Sequence, residues 1–400
     1  MTDTELLFNP LEPGFIEDPY PAYRRLRDAD PVHESPFGVW LLSRYADVAA
    51  LLRSHLSVDP RNVTTPQFVE EYSRRERHDR ELSMLDRDPP DHTRLRSLVT
   101  KVFTPRSIAA LEPMIAGLVD QALDRIAAEG GAELVGALAF PLPFEVISRM
   151  LGMPPTDTAR TRELSGTIVR TLDVVTDPDV MRAIAQAADE FHAITSDVIA
   201  WKRANPADDL LTALIAAEDQ GDKLTDEELI VQVELLFIAG HETTVNLIAG
   251  GVLALLGNPG QLALLRANPG LSANAVEELL RYVSPVQQSR RITVEPLTVH
   301  GREIPPGTFV ITVLASANRD ERFWGPDADQ LKLTRENARQ HVSFGGGPHH
   351  CLGASLARLE ARIAIERLVR RFPGLARDGD SIEWNGRINL RGPARLEVKI

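Results

Sequence analysis

Phe344-Gly345-Gly346-Gly347-Pro348-His349-His350-Cys351-Leu352-Gly353 contains the only cysteine of the chain. It runs directly into a segment in which Leu352, Leu356, Leu359 and Ile363 recur at helical spacing, which places Cys351 at the start of a helix. Unpaired N–H groups and the positive end of the helix dipole favour a thiolate there. The glycines let the backbone wrap close to the sulfur without side-chain clashes. A thiolate with amide donors aimed at it is a good iron ligand. Two plainer readings compete: an inert buried thiol, common for free cysteines, and a cysteine hydrolase with His349 or His350 as base. Consecutive glycines and two histidines are a poor way to build an inert core, and adjacent histidines rarely meet the geometry of a base.

Working outward, Thr225 and Glu228 form a capping-box pattern, and apolar helical periodicity then continues to Gly257. At about 1.5 Å per residue such a helix crosses a whole domain. Its middle reads Ala239-Gly240-His241-Glu242-Thr243-Thr244. An acid and hydroxyls in an apolar helix are costly unless paired, and Gly240 permits something flat to lie against the backbone. Taken alone, the threonines fit packing as well as catalysis. Glu278 and Arg281, three apart on a helix begun near Ser272, can meet. His92 and Arg96, four apart, share a helix face after Asp88-Pro89-Pro90-Asp91. Arg291 opens a strand. Taken singly, Arg96 and Arg291 also fit solvated surface charges.

The stretch ending at Gly353 matches the haem-binding signature Phe-Gly-x-Gly-x-His-x-Cys-x-Gly at Phe344, Gly345, Gly347, His349, Cys351 and Gly353. On these residues the chain resembles the cytochrome P-450 superfamily, soluble bacterial type, from about residue 15 to the end. The resemblance implies a mainly α fold with a small β region and haem b (iron protoporphyrin IX) ligated by Cys351. It implies propionate contacts from His92, Arg96, Arg291 and His349, and an oxygen-activation pair in Glu242 and Thr243. Glu278 and Arg281 are expected to brace the cysteine loop together with Arg335, although Leu331 and Lys332 stand where the family pattern has Phe-Asp. The implied reaction inserts one oxygen atom of O2 into an apolar small molecule, with electrons from a separate soluble donor, a ferredoxin with its reductase. Arg94, Lys101 and Arg358 are candidate docking charges, and Val63, Phe68, Val169, Leu172 and Val286 candidate pocket walls. A peroxide-using haem-thiolate enzyme and a non-enzymatic haem sensor are the alternatives; the Glu242-Thr243 pair speaks against both.

Composition sets the frame. With 43% hydrophobic and 25% charged residues the 400-residue chain reads as a globular enzyme, and no linker-like run divides it, so one domain over 1–400 is expected. Forty-four basic against 57 acidic residues give a net charge of -13, which disfavours a nucleic-acid partner. Glu234, Glu242 and Asn246 interrupt the longest apolar stretch, so no membrane span is expected. The first ten residues lack a signal-peptide pattern, and a single cysteine fits a reducing compartment, so a cytoplasmic protein is expected. A Pro-punctuated helical region from 93 to 257 follows a mixed start, with strands after Arg290 and hairpins around His300-Gly301, Pro305-Pro306-Gly307 and Asn385-Gly386.

Overall fold

In a computed structural model the capping box at Thr225 is formed: Thr225 Oγ1 accepts from Glu228 N at 3.1 Å, and the Glu228 carboxylate accepts from Thr225 N at 2.9 Å. From this cap the helix Asp226–Leu256 runs without a break. The structure describes residues 8–66, 82–100, 103–154, 158–173, 175, 177–219, 222–379 and 381–400. Phe68 and Lys101 lie outside them.

The long helix is the axis around which the others are laid. It packs against the helices Pro141–Leu151, Pro178–Ala204, Ser272–Val283 and Ala354–Arg371. Val245, Leu247, Ile248, Val252 and Leu255 are all buried in these contacts. Each such side chain contributes about 1.5–3 kcal/mol of transfer free energy. Gly250 sets one crossing, because a Cβ there would stand 2.7 Å from Val283 Cγ1. The helix is long and apolar enough to cross a membrane, yet 72% of its apolar stretch is buried inside the protein. The prolines that punctuate the helical half lie at helix starts: Pro105, Pro141 and Pro178 each occupy the first turn, where the missing N–H costs nothing.

The β region is small. Its largest sheet has the order Val32–Glu34, Trp40–Leu42, Phe309–Thr312, Ser289–Ile292, with a parallel pairing of Trp40 to Val310 and an antiparallel pairing of Ser289 to Thr312. Leu297–Val299 and Arg302–Ile304 form the hairpin expected around His300-Gly301, both turn residues having positive φ. The Pro305-Pro306-Gly307 turn carries the chain from that hairpin into the larger sheet, so it joins two sheets rather than the strands of one hairpin. Arg291 lies on Ser289–Ile292, placed beside the cysteine half of the molecule by this pairing.

Candidate functional site

The cysteine loop owes its shape to its glycines. Gly345 and Gly347 have φ of +68° and +65°, and a Cβ on Gly347 would lie 2.6 Å from Leu52 O. The loop closes where Cys351 N donates to Phe344 O at 2.9 Å. The helix begins at Ala354 with Gly353 as its cap, so Cys351 precedes it rather than opening it. Cys351 keeps exposed surface, yet protein atoms surround the thiol closely. Burial raises the thiol pKa, and a hydrogen bond from the Gly353 backbone and the charges of Arg96 and Arg358 offset only part of this. The expected thiolate is therefore not produced by the loop alone. A bound haem iron would favour the deprotonated thiol here, since a metal ion deprotonates a ligating thiol.

Behind the loop, Glu278 and Arg281 are fully buried. Arg281 Nε donates to Glu278 Oε2 at 2.7 Å and Nη2 to Oε1 at 2.8 Å. Arg335 Nε joins at 3.2 Å and its Nη1 donates to Asp327 Oδ1 at 2.9 Å. The Leu331-Lys332 departure does no harm because Lys332 acts through its backbone, its N–H donating to Glu278 Oε1 at 2.9 Å. Arg281 also donates to the Asn318 and Ala328 carbonyls at 2.8 and 2.7 Å. Asn318 in turn holds Val342 N and Ser343 Oγ, immediately before Phe344. The brace thus reaches the cysteine loop by hydrogen bonds alone. A second acid, Glu277, joins His341 at 3.1 Å and Arg358 at 2.8 Å, and the Arg358 guanidinium lies 4.5 Å from the centre of the Phe344 ring.

On the clamp helix Asp91–Thr100, His92 is buried and its ring centre is 4.0 Å from that of His349. Burial and then the nearby positive side chains, His92, Arg291 and Arg96, hold His349 down to about 3. Arg291 is buried, and among the described residues it donates to Ser289 Oγ and to the Arg290 carbonyl of its own strand; burial lowers its pKa. Arg96 donates to His350 O at 2.6 Å. His92 Nε2 is buried without a hydrogen-bond partner. Four donors gathered with so little negative charge among them fit the carboxylates of a haem edge. A cleft of about 560 Å³ opens here between His92, Arg96 and Pro348. Among the described residues no three His, Cys, Asp or Glu side chains converge to hold a free ion. A macrocycle brings its own nitrogens and asks the protein only for an axial ligand, which Cys351 fits.

The long helix is buried along most of its length, but Ala239 is exposed and Ile238, Gly240, Glu242 and Thr243 are partly so. Thr243 Oγ1 donates to Ala239 O at 3.1 Å. At Gly240 a Cβ would meet Ile147 at 3.3 Å, so its missing side chain also serves the crossing with Pro141–Leu151. Glu242 is not free. Its Oε2 accepts from Arg387 Nη1 at 2.7 Å. The sequence calls for some cation beside a half-buried acid, but not for one 145 residues away. Two of the expected docking charges are also engaged, Arg94 with Glu228 and Arg358 with Glu277.

Cys351 in its glycine loop, the basic group of His92, Arg96, Arg291 and His349, and the buried brace of Glu278, Arg281 and Arg335 together fit a haem-thiolate protein. The family model described as Cytochrome P450 matches residues 37–268 and 271–384. The chain is 43% identical to Cytochrome P450 107B1 of Saccharopolyspora erythraea, over 96% of each chain, and 43% identical to Cytochrome P450 monooxygenase PikC of Streptomyces venezuelae, over 96% of this chain and 92% of that one. The crystal structure of Mycobacterium smegmatis CYP164A2 superposes with a TM-score of 0.91 at 37% identity, covering 99% of each chain. The chain belongs to the cytochrome P450 family. It is a haem b monooxygenase that acts on a small molecule.

Proposed function

We propose that this monooxygenase hydroxylates or epoxidises an apolar small molecule as one domain over residues 1–400, in which Cys351 would ligate the haem iron and His92, Arg96, Arg291 and His349 would hold the propionates. Phe344 and Gly353 shape the space around the sulfur, and Glu278, Arg281 and Arg335 keep the loop in place. Haem held there supplies O2 activation and transfer of one oxygen atom. The observation that carries the reading is the middle of the long helix, where Ala239 is exposed, Ile238, Gly240, Glu242 and Thr243 are partly exposed around a buried His241, and a hydroxyl and a carboxylate stand together.

Thr243 spends its one O–H on Ala239 O and keeps its oxygen lone pairs free to accept from a water. Such a water, ordered by Thr243 and supplied with protons from the Glu242 side, delivers them where oxygen is reduced. Val63 and Val169 are buried and Val286 partly so, in the segments that would wall the pocket, while Leu172 is exposed. These side chains favour an apolar substrate. Electrons come from a separate carrier, a ferredoxin with its reductase, in the cytoplasm; Arg358 keeps 34% of its side chain exposed near the cysteine loop and offers that carrier a positive charge. No nucleic acid or membrane partner is needed.

The test is a spin-state titration against a compound library, followed by turnover of a hit under isotopically labelled O2 with ferredoxin and reductase. One labelled oxygen atom in the product is expected. Product formed only with added peroxide would favour a peroxygenase, and a haem signal with no turnover of any hit would favour a sensor.

A further inference from the structure

Arg387 reaches two elements at once. While Nη1 donates to Glu242 at 2.7 Å, Nη2 donates to the Gly166 carbonyl at 3.0 Å, near the end of the helix Thr158–Ile168. The preceding residue of that helix makes a second link: Ser165 Oγ lies 3.2 Å from His241 Nε2. His241 is fully buried, and its Nδ1 donates to Phe237 O at 2.7 Å, while the single Ser165 O–H is within reach of both His241 Nε2 at 3.2 Å and Arg162 O at 3.1 Å. Burial keeps this imidazole neutral, lowering its pKa. Residues 165 and 166 are therefore joined to 241 and 242 side by side, and the link from Gly166 to Glu242 passes through an arginine belonging to neither helix.

That arginine is firmly mounted. One helical turn beyond Glu242, Asn246 donates to Leu390 O at 3.2 Å. Asn385 donates to the same carbonyl at 2.7 Å, and its Oδ1 accepts from Arg387 N at 3.1 Å. Gly392 makes room for this anchor, since a Cβ there would stand 2.1 Å from Asn246 Oδ1. At the tip, Asn389 N donates to Asp173 Oδ1 at 2.7 Å, just past the same Thr158–Ile168 helix. The C-terminal turn is fixed to the long helix at its base and grips the Thr158–Ile168 region at its tip.

We propose that Arg387 is a positioning residue for proton delivery. It sets the Glu242 carboxylate in register with the Thr158–Ile168 helix, so the supply of protons toward Thr243 depends on how that helix is seated. This rests on Glu242 serving as the acid. The planar fork of arginine suits the task because it holds two acceptors at fixed separation, which a lysine ammonium does not.

The test uses the haem-loaded protein with ferredoxin and reductase and no added substrate, so that O2 is the only acceptor. Two electrons and two protons convert O2 to hydrogen peroxide; four of each convert it to two waters. Poorer proton delivery therefore raises peroxide formed per O2 consumed. Arg387→Gln should raise that ratio about fivefold, a fraction of the roughly hundredfold a positioned acid can contribute, and should change the solvent isotope effect on O2 consumption. Arg387→Lys should recover part of the parent ratio. In both variants hydrogen exchange of residues 158–168 should quicken. In a Glu242→Gln background, Arg387→Gln should leave the ratio unchanged while exchange still quickens. Faster exchange with the parent's ratio and isotope effect would reduce Arg387 to a structural clamp and overturn the proposal, as would an equal change of ratio in both backgrounds. If Glu242→Gln alone matches the parent in ratio and isotope effect, the acid assignment itself fails, and this inference fails with it.

Discussion

Glu278 has no accessible surface and receives hydrogen bonds from Arg281, Arg335 and the Lys332 backbone. Glu242, in the long helix, is partly exposed and has one strong partner, Arg387, with His241 farther off at 3.7 Å. Both are glutamates half a helix from other elements, each answered by arginine. The first network is closed: every partner has further partners, and together they lead to Val342 and Ser343. The second is open on one side, where Ala239 is exposed and Thr243 partly so. A ligand loop must not move, whereas an acid that gives up and regains protons must be reachable. The two glutamates differ in satisfaction and solvent access because their tasks differ.

The largest break in this comparison comes from Glu278→Ala. It leaves Arg281 buried without its carboxylate, which costs about 3–5 kcal/mol. Expression should yield little folded, haem-loaded protein; normal haem content and a normal melting temperature would deny Glu278 the bracing role. Thr243→Ala should act on the other side alone. Haem content, thiolate ligation and substrate-induced spin shift should persist, while product formed per reducing equivalent falls about tenfold and peroxide rises. Unchanged coupling would move the role to Thr244 or to water.

A smaller effect separates the brace from its neighbour Glu277. Burial pushes this carboxyl up, but hydrogen bonds from His341 and Arg358 outweigh it and hold the pKa at about 2, against an ordinary 4.5. A depressed folded-state pKa means stability that is fully present above about 4.5 and lost as pH falls toward 2. Glu277→Gln should therefore flatten acid unfolding over that window and lower stability by a constant amount above it. An unaltered acid limb would mean that the contact does not hold in solution. The smallest effect is expected from Glu163→Ala. Arg160 and Glu163 stand three apart on a helix, as Glu278 and Arg281 do, but their side chains are 41% and 67% exposed. The melting temperature should not change measurably; a clear drop would show that spacing alone carries the energy.

What was legible in the sequence follows the same division. The cysteine loop could be read because its shape is made by residues next to one another, above all Gly345 and Gly347 in left-handed conformations. The capping box at Thr225 and Glu228 is local for the same reason. Arg335 could be placed despite Leu331 and Lys332, because the position depends on a backbone N–H that any residue but proline supplies. Arg387 could not be placed: its pairing depends on how the C-terminal turn folds over the long helix. The crossing at Gly240 was not legible, since a glycine's missing side chain does not say which neighbour uses the space. The strands Val32–Glu34 and Gly131–Glu133 were missed; three residues are too few to show alternation. The thiol's raised pKa also escaped, because dipole and amide donors are visible in sequence and burial is not.

Everything above depends on Cys351 holding the iron, and one spectrum tests it. The reduced parent protein exposed to carbon monoxide should show the strongly red-shifted absorbance of thiolate-ligated haem. Cys351→Ser, which keeps the side-chain size but supplies no thiolate, should lose that band entirely even where haem is retained, since the chain has no second cysteine. A Cys351→Ser protein that kept the band would contradict the account.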